Sequence, residues 1–128
     1  MTIRDGRVQN DPGETMGERW YFGLDGGGTS CRLRVESSDA ILIWKGEGKA
    51  ANPRSVGWDE TKRVVGELFA RLYQAAGLDP ADCAGGFAGL AGIGRPTDRQ
   101  ITRDIVREAA RIACPIEADN DALPALVG

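Results

Sequence analysis

The sequence predicts an α/β domain built on a five-stranded mixed sheet with helices on both faces. Short apolar runs bounded by glycine and polar residues indicate strands. Two longer segments repeat apolar residues every three or four positions, as amphipathic helices do. The predicted order along the chain is β-β-β-α-β-α-β-α. The first three strands would form an antiparallel meander, and the later strands would be added through right-handed strand–helix–strand crossovers.

The meander is predicted from three segments near the start of the chain. Trp20–Asp25 is a short apolar run that ends in an acid. Ser30–Glu36 alternates apolar and polar residues, which is the pattern of a strand with one buried face. Ile41–Lys45 resumes the strand pattern after a polar turn. Residues 1–19 show no apolar period, so we interpret them as a flexible N-terminal tail that precedes a folded lobe of residues 20–128.

A first helix and a fourth strand follow the meander. The helix is expected over Ser55–Ala76, where Ser55 can cap its start. Gly77 stands where a C-terminal cap belongs. The strand is expected over Cys83–Leu90, a run of small and apolar residues that suits a tightly packed central strand.

Pro96 opens a second predicted helix that runs to about Ala113, because proline is tolerated in a first helical turn. A fifth strand over Cys114–Ala118 then leads into a third helix that begins at Ala122. Arginines recur at every fourth position from 95 to 111, and we interpret them as a solvated helix face. The inner stripe of the second helix is predicted to contain Ile101, Ile105, Ala109 and Ile112.

The composition limits the classes of protein to which the chain can belong. Its 128 residues are 41% hydrophobic and 27% charged, which is typical of one globular domain. The net charge is −3 with no basic stripe, so a nucleic-acid partner is not expected. No apolar run approaches the ~18 residues of a membrane helix, and residues 1–19 lack the apolar core of a secretory signal. We expect a cytoplasmic protein without a membrane partner.

The chain contains no histidine and three cysteines. Histidine catalysis and histidine metal sites are therefore excluded, and a carboxylate is the most plausible general base. Cys31, Cys83 and Cys114 are widely spaced and include no CxxC pair, so they offer no zinc or iron–sulfur pattern. An odd, scattered set of this kind suits free thiols in a reducing compartment.

The strongest candidate site is the turn between the first two strands, which reads Asp-Gly-Gly-Gly-Thr. Consecutive glycines let backbone N–H groups face an anion, whereas an ordinary hairpin usually needs only one glycine. Asp25 is placed to hold Mg²⁺, through water, because phosphoryl transfer depends on positioning and charge neutralisation. The residues predicted to bind the phosphates of ATP are Gly26, Gly27, Gly28, Thr29 and Ser30.

Two other nucleotide-binding patterns do not fit. The P-loop pattern GxxxxGK[ST] is absent. Gly46–Ala51 matches GxGxxA after a strand, but Pro53 follows at once and the helix that this motif must open does not begin there.

A second candidate is the polar segment Asp119-Asn120-Asp121 at the end of the fifth strand. A helix cap would account for part of it, and that alternative stays open. Ligands bind beyond the carboxyl ends of the strands in such sheets. A carboxylate there can accept the proton of a sugar hydroxyl as it attacks the γ-phosphate of ATP.

Asn52 and Gly92 are weaker candidates for substrate binding. Asn52 offers a donor and an acceptor that suit a sugar hydroxyl, although a turn before proline is the more common role of such a residue. Gly92 belongs to a glycine-rich loop after the fourth strand. That loop would line the same crevice, or it would only permit close packing.

Together these residues resemble the N-acetylglucosamine kinase branch of the BadF/BadG/BcrA/BcrD ATPase family. The resemblance runs from Trp20 to Gly128 and rests on DGGGT at 25–29, GLAG at 89–92 and NDA at 120–122. It implies a ribonuclease-H-like (actin-like ATPase) fold, with ATP and Mg²⁺ as cofactors. The implied reaction is phosphorylation of an amino sugar, either N-acetylglucosamine or glucosamine.

The resemblance also implies roles for single residues. In that family the DGGGT loop binds the ATP phosphates and Mg²⁺, and an asparagine after the third strand, here Asn52, contacts the sugar. The family's catalytic aspartate precedes a small residue at the start of the third helix. That position is Asp121 here, with Asp119 as the second choice.

Members of this family carry a second lobe, which supplies the other phosphate loop and the adenosine pocket, and these 128 residues do not include it. We therefore expect the chain alone to be inactive. We also expect it to self-associate through the apolar seam that the second lobe would cover.

Two other functions stay open. One is the ATPase activator of a 2-hydroxyacyl-CoA dehydratase or benzoyl-CoA reductase, from the same superfamily. Those activators carry cluster-ligating cysteines at a dimer seam, and Cys83 and Cys114 do not resemble that arrangement. The other is a non-catalytic truncated domain that serves as an interaction module.

Overall fold

The computed structural model describes residues 2–4, 7–9 and 19–120. The first two elements are short strands, β1 (Thr2–Arg4) and β2 (Arg7–Gln9), which pair antiparallel and form a sheet of their own. The sequence assigned no strands here, because neither segment is long enough to show a period of two. The division into a tail and a lobe stays a prediction.

The main sheet has five strands in the order β5-β4-β3-β6-β7. β3 is antiparallel to β4 and parallel to β6, while β4 is antiparallel to β5 and β6 is parallel to β7. This arrangement confirms the predicted meander and the parallel strands added after it. The strands are β3 (Trp20–Gly26), β4 (Cys31–Ser37), β5 (Leu42–Gly48), β6 (Cys83–Leu90) and β7 (Ile116–Asp119).

The third strand of the meander continues past its predicted end at Lys45. The glycines that follow indicated a loop, but Gly48 still pairs with Cys31 of β4. A Cβ on Gly46 would collide with the ring of Trp44. Glycine is therefore kept inside this strand because it makes room for a neighbouring indole ring.

The first helix, α1 (Pro53–Ala76), begins two residues before the predicted start at Ser55. Asn52 is the cap, because its Oδ1 accepts the backbone N–H of Arg54 at 2.9 Å. Gly57, with φ 85°, interrupts the helical backbone and sets the first turn apart from the rest of the helix.

Both helices end on a residue in the left-handed conformation. Gly77, with φ 66°, caps α1 as predicted. The second helix, α2 (Pro96–Ala110), ends three residues before the predicted end near Ala113, and its C-cap is Arg111 with φ 58°. Among the residues that the structure describes, neither helix is long and apolar enough to cross a membrane.

The inner face of α2 is shifted by one position from the predicted stripe. Ile105 is buried as predicted, but Ile101 is 38% exposed and Thr102 takes its place on the inside. Thr102 can be buried because its hydroxyl donates to the backbone carbonyl of Asp98 at 2.8 Å. A stripe drawn through apolar residues alone misses such a threonine.

One hydrophobic core fills the space between the sheet and the two helices. Trp20, Phe22 and Leu24 of β3 are buried in the same cluster as Phe69 of α1 and Val106 of α2. The rings of Phe22 and Phe69 meet edge to face with their centroids 5.2 Å apart. The alternation along β3 therefore directs its odd-numbered residues to the opposite face of the sheet.

Both described helices lie on the same face of the sheet, so the prediction of helices on both faces depends on the predicted third helix. β5, β6 and β7 point in the same direction, and each crossover carries the chain toward the β7 edge. Two right-handed crossovers in one direction place both helices on one face. The predicted third helix lies outside the described residues. Within residues 19–120, the face that holds Tyr21, Asp25 and Arg34 carries no helix.

Candidate functional site

The glycine turn joins β3 to β4 at the edge of the sheet where β3, β6 and β7 end. The N–H of Gly27 donates to the carbonyl of Ser30 at 2.8 Å and closes the turn. Gly28 and Thr29 are exposed at its tip. Within the described part of the chain, the amides of these two residues make no backbone hydrogen bond to loop or turn partners. Amides in this state can bind an anion, whereas the amide of Gly27 is committed to the turn.

Gly26 lies where three segments come into contact. A Cβ on Gly26 would collide with Cδ2 of Leu90 and lie 2.9 Å from the carbonyl oxygen of Ala51. Its own carbonyl accepts the N–H of Ala91 at 2.9 Å. The glycine turn, the loop before α1 and the loop after β6 therefore meet at this residue.

We expect Gly26→Ala to lower the free energy of unfolding by about 1–3 kcal/mol, because the added methyl group has no space beside Leu90. Gly28→Ala is a matched control, since a Cβ there would meet no atom within 4 Å, and we expect it to change stability by less than about 1 kcal/mol. Urea denaturation followed by far-UV circular dichroism measures both variants. Equal losses would contradict the close contact at Gly26.

Asp25 lies beside this turn on the face opposite the helices. Its Oδ2 accepts a hydrogen bond from Nη2 of Arg32 across the hairpin at 3.2 Å. The side chains of Asp25 and Arg32 are 31% and 65% exposed, and exposed ion pairs contribute at most about 1 kcal/mol. A cation or a phosphate group can therefore replace one partner of this pair at little cost.

The residues at the turn fit a magnesium ion. Mg²⁺ is usually held by one or two carboxylates together with phosphate oxygens and waters, rather than by a complete protein cage. Asp25 supplies one carboxylate near the end of β3, which leads into the turn that exposes Gly28 and Thr29. Over residues 19–120 there is no group of three or more acidic or cysteine side chains that could hold a metal by themselves. One carboxylate therefore suits a Mg²⁺ ion whose other ligands are phosphate oxygens and waters.

The register of the sheet places Asp25 and Asp119 in one row. Asp25 is opposite Gly89 of β6, and Gly89 is opposite Asp119 of β7. Residues opposite each other in neighbouring strands point to the same face, so the register places Asp25 and Asp119 on the side away from the helices. At the edge strand β7, the carboxylate of Asp119 still reaches Arg99 of α2. Two interstrand spacings separate the Cα atoms of Asp25 and Asp119, which is roughly 10 Å. The glycine turn and the end of β7 therefore share one edge of the sheet.

Asp119 is engaged by two donors. Its Oδ1 accepts the backbone N–H of Asn120 at 2.7 Å and Nη2 of Arg99 at 3.2 Å. Arg99 belongs to α2, so this ion pair ties the end of β7 to the start of the helix. Asp121 lies outside the described residues, and its role as the base stays a prediction.

Asn52 and Gly92 are joined through Arg54. Nε of Arg54 donates to the carbonyl of Gly92 at 2.9 Å and links the start of α1 to the loop after β6. Gly92 has φ 88°, and a Cβ there would lie 2.6 Å from Cδ of Arg54, so glycine suits both the backbone and the arginine. Asn52 uses Oδ1 as the helix cap, and its role in sugar binding stays a prediction.

A cleft of about 190 Å³ opens between the start of α1 and the loop after β6. It is smaller than the ~300 Å³ at which pockets for small molecules usually begin. The cleft is therefore too small to enclose a small-molecule ligand by itself. Its lining includes Arg54, Trp58, Gly92, Arg95 and Asp98.

Three arginines at this edge were not predicted as site residues. Arg32 pairs with Asp25, and it could have been found because residues equally far from the centre of a hairpin turn face each other. Arg54 and Arg99 gave no such signal. Arg54 contacts a loop 38 residues away, and Arg99, interpreted as part of a solvated face, binds a carboxylate 20 residues away.

The chain is similar to two amino-sugar kinases. Over 110 residues it is 28% identical to the N-acetylmuramic acid/N-acetylglucosamine kinase of Clostridium acetobutylicum. The matched region covers 86% of this chain and 36% of that protein. Over 73 residues it is 34% identical to the glucosamine kinase of Vibrio cholerae serotype O1, and this matched region covers 56% of this chain and 24% of that protein. The chain therefore spans well under half the length of these relatives.

A solved structure and a family model also match this chain. The crystal structure of a candidate N-acetylglucosamine kinase from Chromobacterium violaceum matches with a TM-score of 0.60 and 26% identity, over 87% of this chain and 38% of that one. The predicted actin-like ATPase fold is thereby confirmed. Residues 22–128 match the BadF/BadG/BcrA/BcrD ATPase family. This chain therefore belongs to the BadF/BadG/BcrA/BcrD ATPase family.

Proposed function

We propose that this chain is the phosphate-binding lobe of an ATP-dependent kinase that phosphorylates an amino sugar, N-acetylglucosamine or glucosamine. The observation that carries the proposal is the shared row of Asp25 and Asp119 in the sheet. Asp25 lies beside the glycine turn, and Asp119 is the first residue of the polar segment Asp119-Asn120-Asp121. Phosphoryl transfer needs a phosphate site and a carboxylate base within reach of the same substrates. The amino-sugar kinases among the relatives support this choice of substrate.

The nucleotide half of the proposed site is the glycine turn. The exposed amides of Gly28 and Thr29 would donate to phosphate oxygens, and the hydroxyl groups of Thr29 and Ser30 add donors next to them. Asp25 would hold a Mg²⁺ ion, which neutralises phosphate charge when bound. Gly26 would keep the turn close to the loops that precede α1 and follow β6.

The sugar half would lie next to it, toward the loops after β5, β6 and β7. Asn52 and Gly92 are the proposed sugar contacts, and Arg54 holds them together. We assign the general base to Asp121 rather than Asp119. Asp119 already accepts hydrogen bonds from Arg99 and from its own neighbour, so its carboxylate is used to position the end of β7.

We further infer that the lobe does not turn over substrate alone. Its cleft is too small to enclose a ligand, and the chain spans 36% of the Clostridium kinase that it resembles. A second lobe would supply the remaining contacts to adenosine and sugar. The separate lobe would then bind nucleotide only weakly, because half of the contact surface is missing.

The test is a phosphoryl-transfer assay on the complete gene product with ATP, Mg²⁺ and a panel of hexoses and amino sugars. We expect transfer to N-acetylglucosamine or glucosamine, little transfer to glucose, and none when Mg²⁺ is removed by chelation. ATP hydrolysis without any sugar acceptor, together with iron in anaerobically purified protein, would instead support the activator function.

A further inference from the structure

Two cysteines meet at the end of the sheet opposite the candidate site. Sγ of Cys114 donates a hydrogen bond to Sγ of Cys83, with the two sulfur atoms 3.0 Å apart. A disulfide bond is about 2.05 Å long, so bond formation needs an approach of only about 1 Å. Cys83 begins β6 and Cys114 lies two residues before β7, which runs parallel to β6. The sheet topology therefore brings together two thiols that are 31 residues apart.

One of the two thiols is accessible from outside. Cys83 is buried, whereas Cys114 is half-buried. Both border an open surface cleft of about 660 Å³, which can admit a small molecule. Cys114 is therefore the thiol that a reagent in solution reaches first.

The third cysteine is isolated from this pair. Cys31 is fully buried in the core. Burial, with the nearby charge of Asp25 as a smaller cause, raises the pKa of the Cys31 thiol to about 12. A buried thiol with so high a pKa is unreactive at neutral pH. Cys31 therefore provides an internal control for the pair.

We propose that Cys83 and Cys114 form a reversible disulfide, with low-molecular-weight disulfides as the oxidant. The thiolate of Cys114 attacks one sulfur of the reagent R–S–S–R, breaks its S–S bond and releases one RS⁻. Cys83 then gives up its proton and attacks Sγ of Cys114, which breaks the mixed disulfide and releases the second RS⁻. Each RS⁻ takes up one proton, so two cysteine thiols are oxidised and one reagent disulfide is reduced to two thiols.

The environment of Cys83 sets the order of these steps. Burial raises the pKa of the Cys83 thiol, and the hydrogen bond from Cys114 raises it further. Cys83 is therefore a poor first nucleophile, but it is already in place to attack once Cys114 carries the mixed disulfide. The product would join the first residue of β6 to the segment before β7 and close a loop that contains α2.

The experiment treats the complete gene product with oxidised glutathione and then blocks the remaining thiols with iodoacetamide under denaturing conditions. We expect the thiols of Cys83 and Cys114 to be lost together, with no glutathione attached and a mass lower by two hydrogen atoms. Arginines at positions 99, 103, 107 and 111 separate the two cysteines, so trypsin should release two peptides that stay joined until dithiothreitol is added. Cys31 should keep its thiol throughout.

Three variants make the result decisive. Cys31→Ser should form the crosslink as the parent protein does. Cys83→Ser should accumulate a stable glutathione adduct on Cys114, because the resolving thiol is gone. Cys114→Ser, which changes the half-buried position and is the safer variant for folding, should leave Cys83 unmodified. A stable adduct on Cys114 in the parent protein, or unchanged thiols at Cys83 and Cys114 in excess oxidised glutathione, would overturn the proposal.

Discussion

Replacing Asp121 by asparagine in the complete gene product is expected to lower kcat about 10²- to 10⁴-fold, which is the usual contribution of a general base. Asparagine keeps the size of the side chain and can still contact a sugar hydroxyl, but it cannot accept the proton that leaves that hydroxyl. The KM for the sugar should therefore change little. Steady-state kinetics with ATP and the preferred amino sugar measure both quantities.

Asp119→Asn is the matched control for this variant. It lies two residues away, and its carboxylate is held by Arg99. We expect a stability loss below about 1 kcal/mol, because the weakened ion pair between β7 and α2 is partly exposed. The loss of kcat should be much smaller than for Asp121→Asn. If Asp119→Asn proved to be the more damaging change for kcat, the two aspartates would have to exchange roles.

Replacing Asp25 by asparagine is expected to lower kcat/KM for Mg²⁺–ATP by about 10²- to 10³-fold, the range seen when one preorganised electrostatic contact is removed. Asp25 lies in β3 just before the glycine turn, and asparagine lacks the negative charge that would hold the metal. The concentration of Mg²⁺ that gives half-maximal rate should rise as well. A magnesium titration at fixed ATP measures this effect.

Arg32→Gln separates the metal role of Asp25 from its ion pair. This variant removes the cation 3.2 Å from Asp25 and keeps the carboxylate. Because the pair is largely exposed, we expect a stability change below about 1 kcal/mol and no rise in the magnesium requirement. If Asp25→Asn and Arg32→Gln weakened the response to magnesium equally, Asp25 would act through the ion pair and not as a metal ligand.

The order of strands and helices from β3 to β7 could be predicted from the sequence because each of these elements carries a local pattern. β3 and β4 alternate buried and exposed residues along their whole length, and α1 has an apolar stripe followed by a glycine cap. The end of β5 could not be predicted, because its glycines are kept in the strand by a contact with Trp44. The side of the sheet on which the helices lie depends on strand direction, which local patterns do not contain.

The candidate site was predictable only where it is continuous in sequence. The glycine turn is one short motif, and the sequence predicted it as a turn between the first two strands of the meander. The ion pair between Arg99 and Asp119 and the hydrogen bond from Arg54 to Gly92 join distant segments. The meeting of Cys83 with Cys114 depends on the packing of β6 against β7 in the same way. One sequence without tertiary information does not reveal such pairs.

Because Gly89 lies between Asp25 and Asp119 in the sheet, backbone pairing alone sets the distance between the two acids. The two acids are held apart by the hydrogen bonds of β6 to its neighbours and not by the packing of an intervening side chain. Sheet spacing varies little between proteins, so the gap between a nucleotide and its acceptor would be nearly constant while the surrounding loops diverge. Evolution or design could then exchange one acceptor for another by changing loops alone and leave the phosphate chemistry untouched.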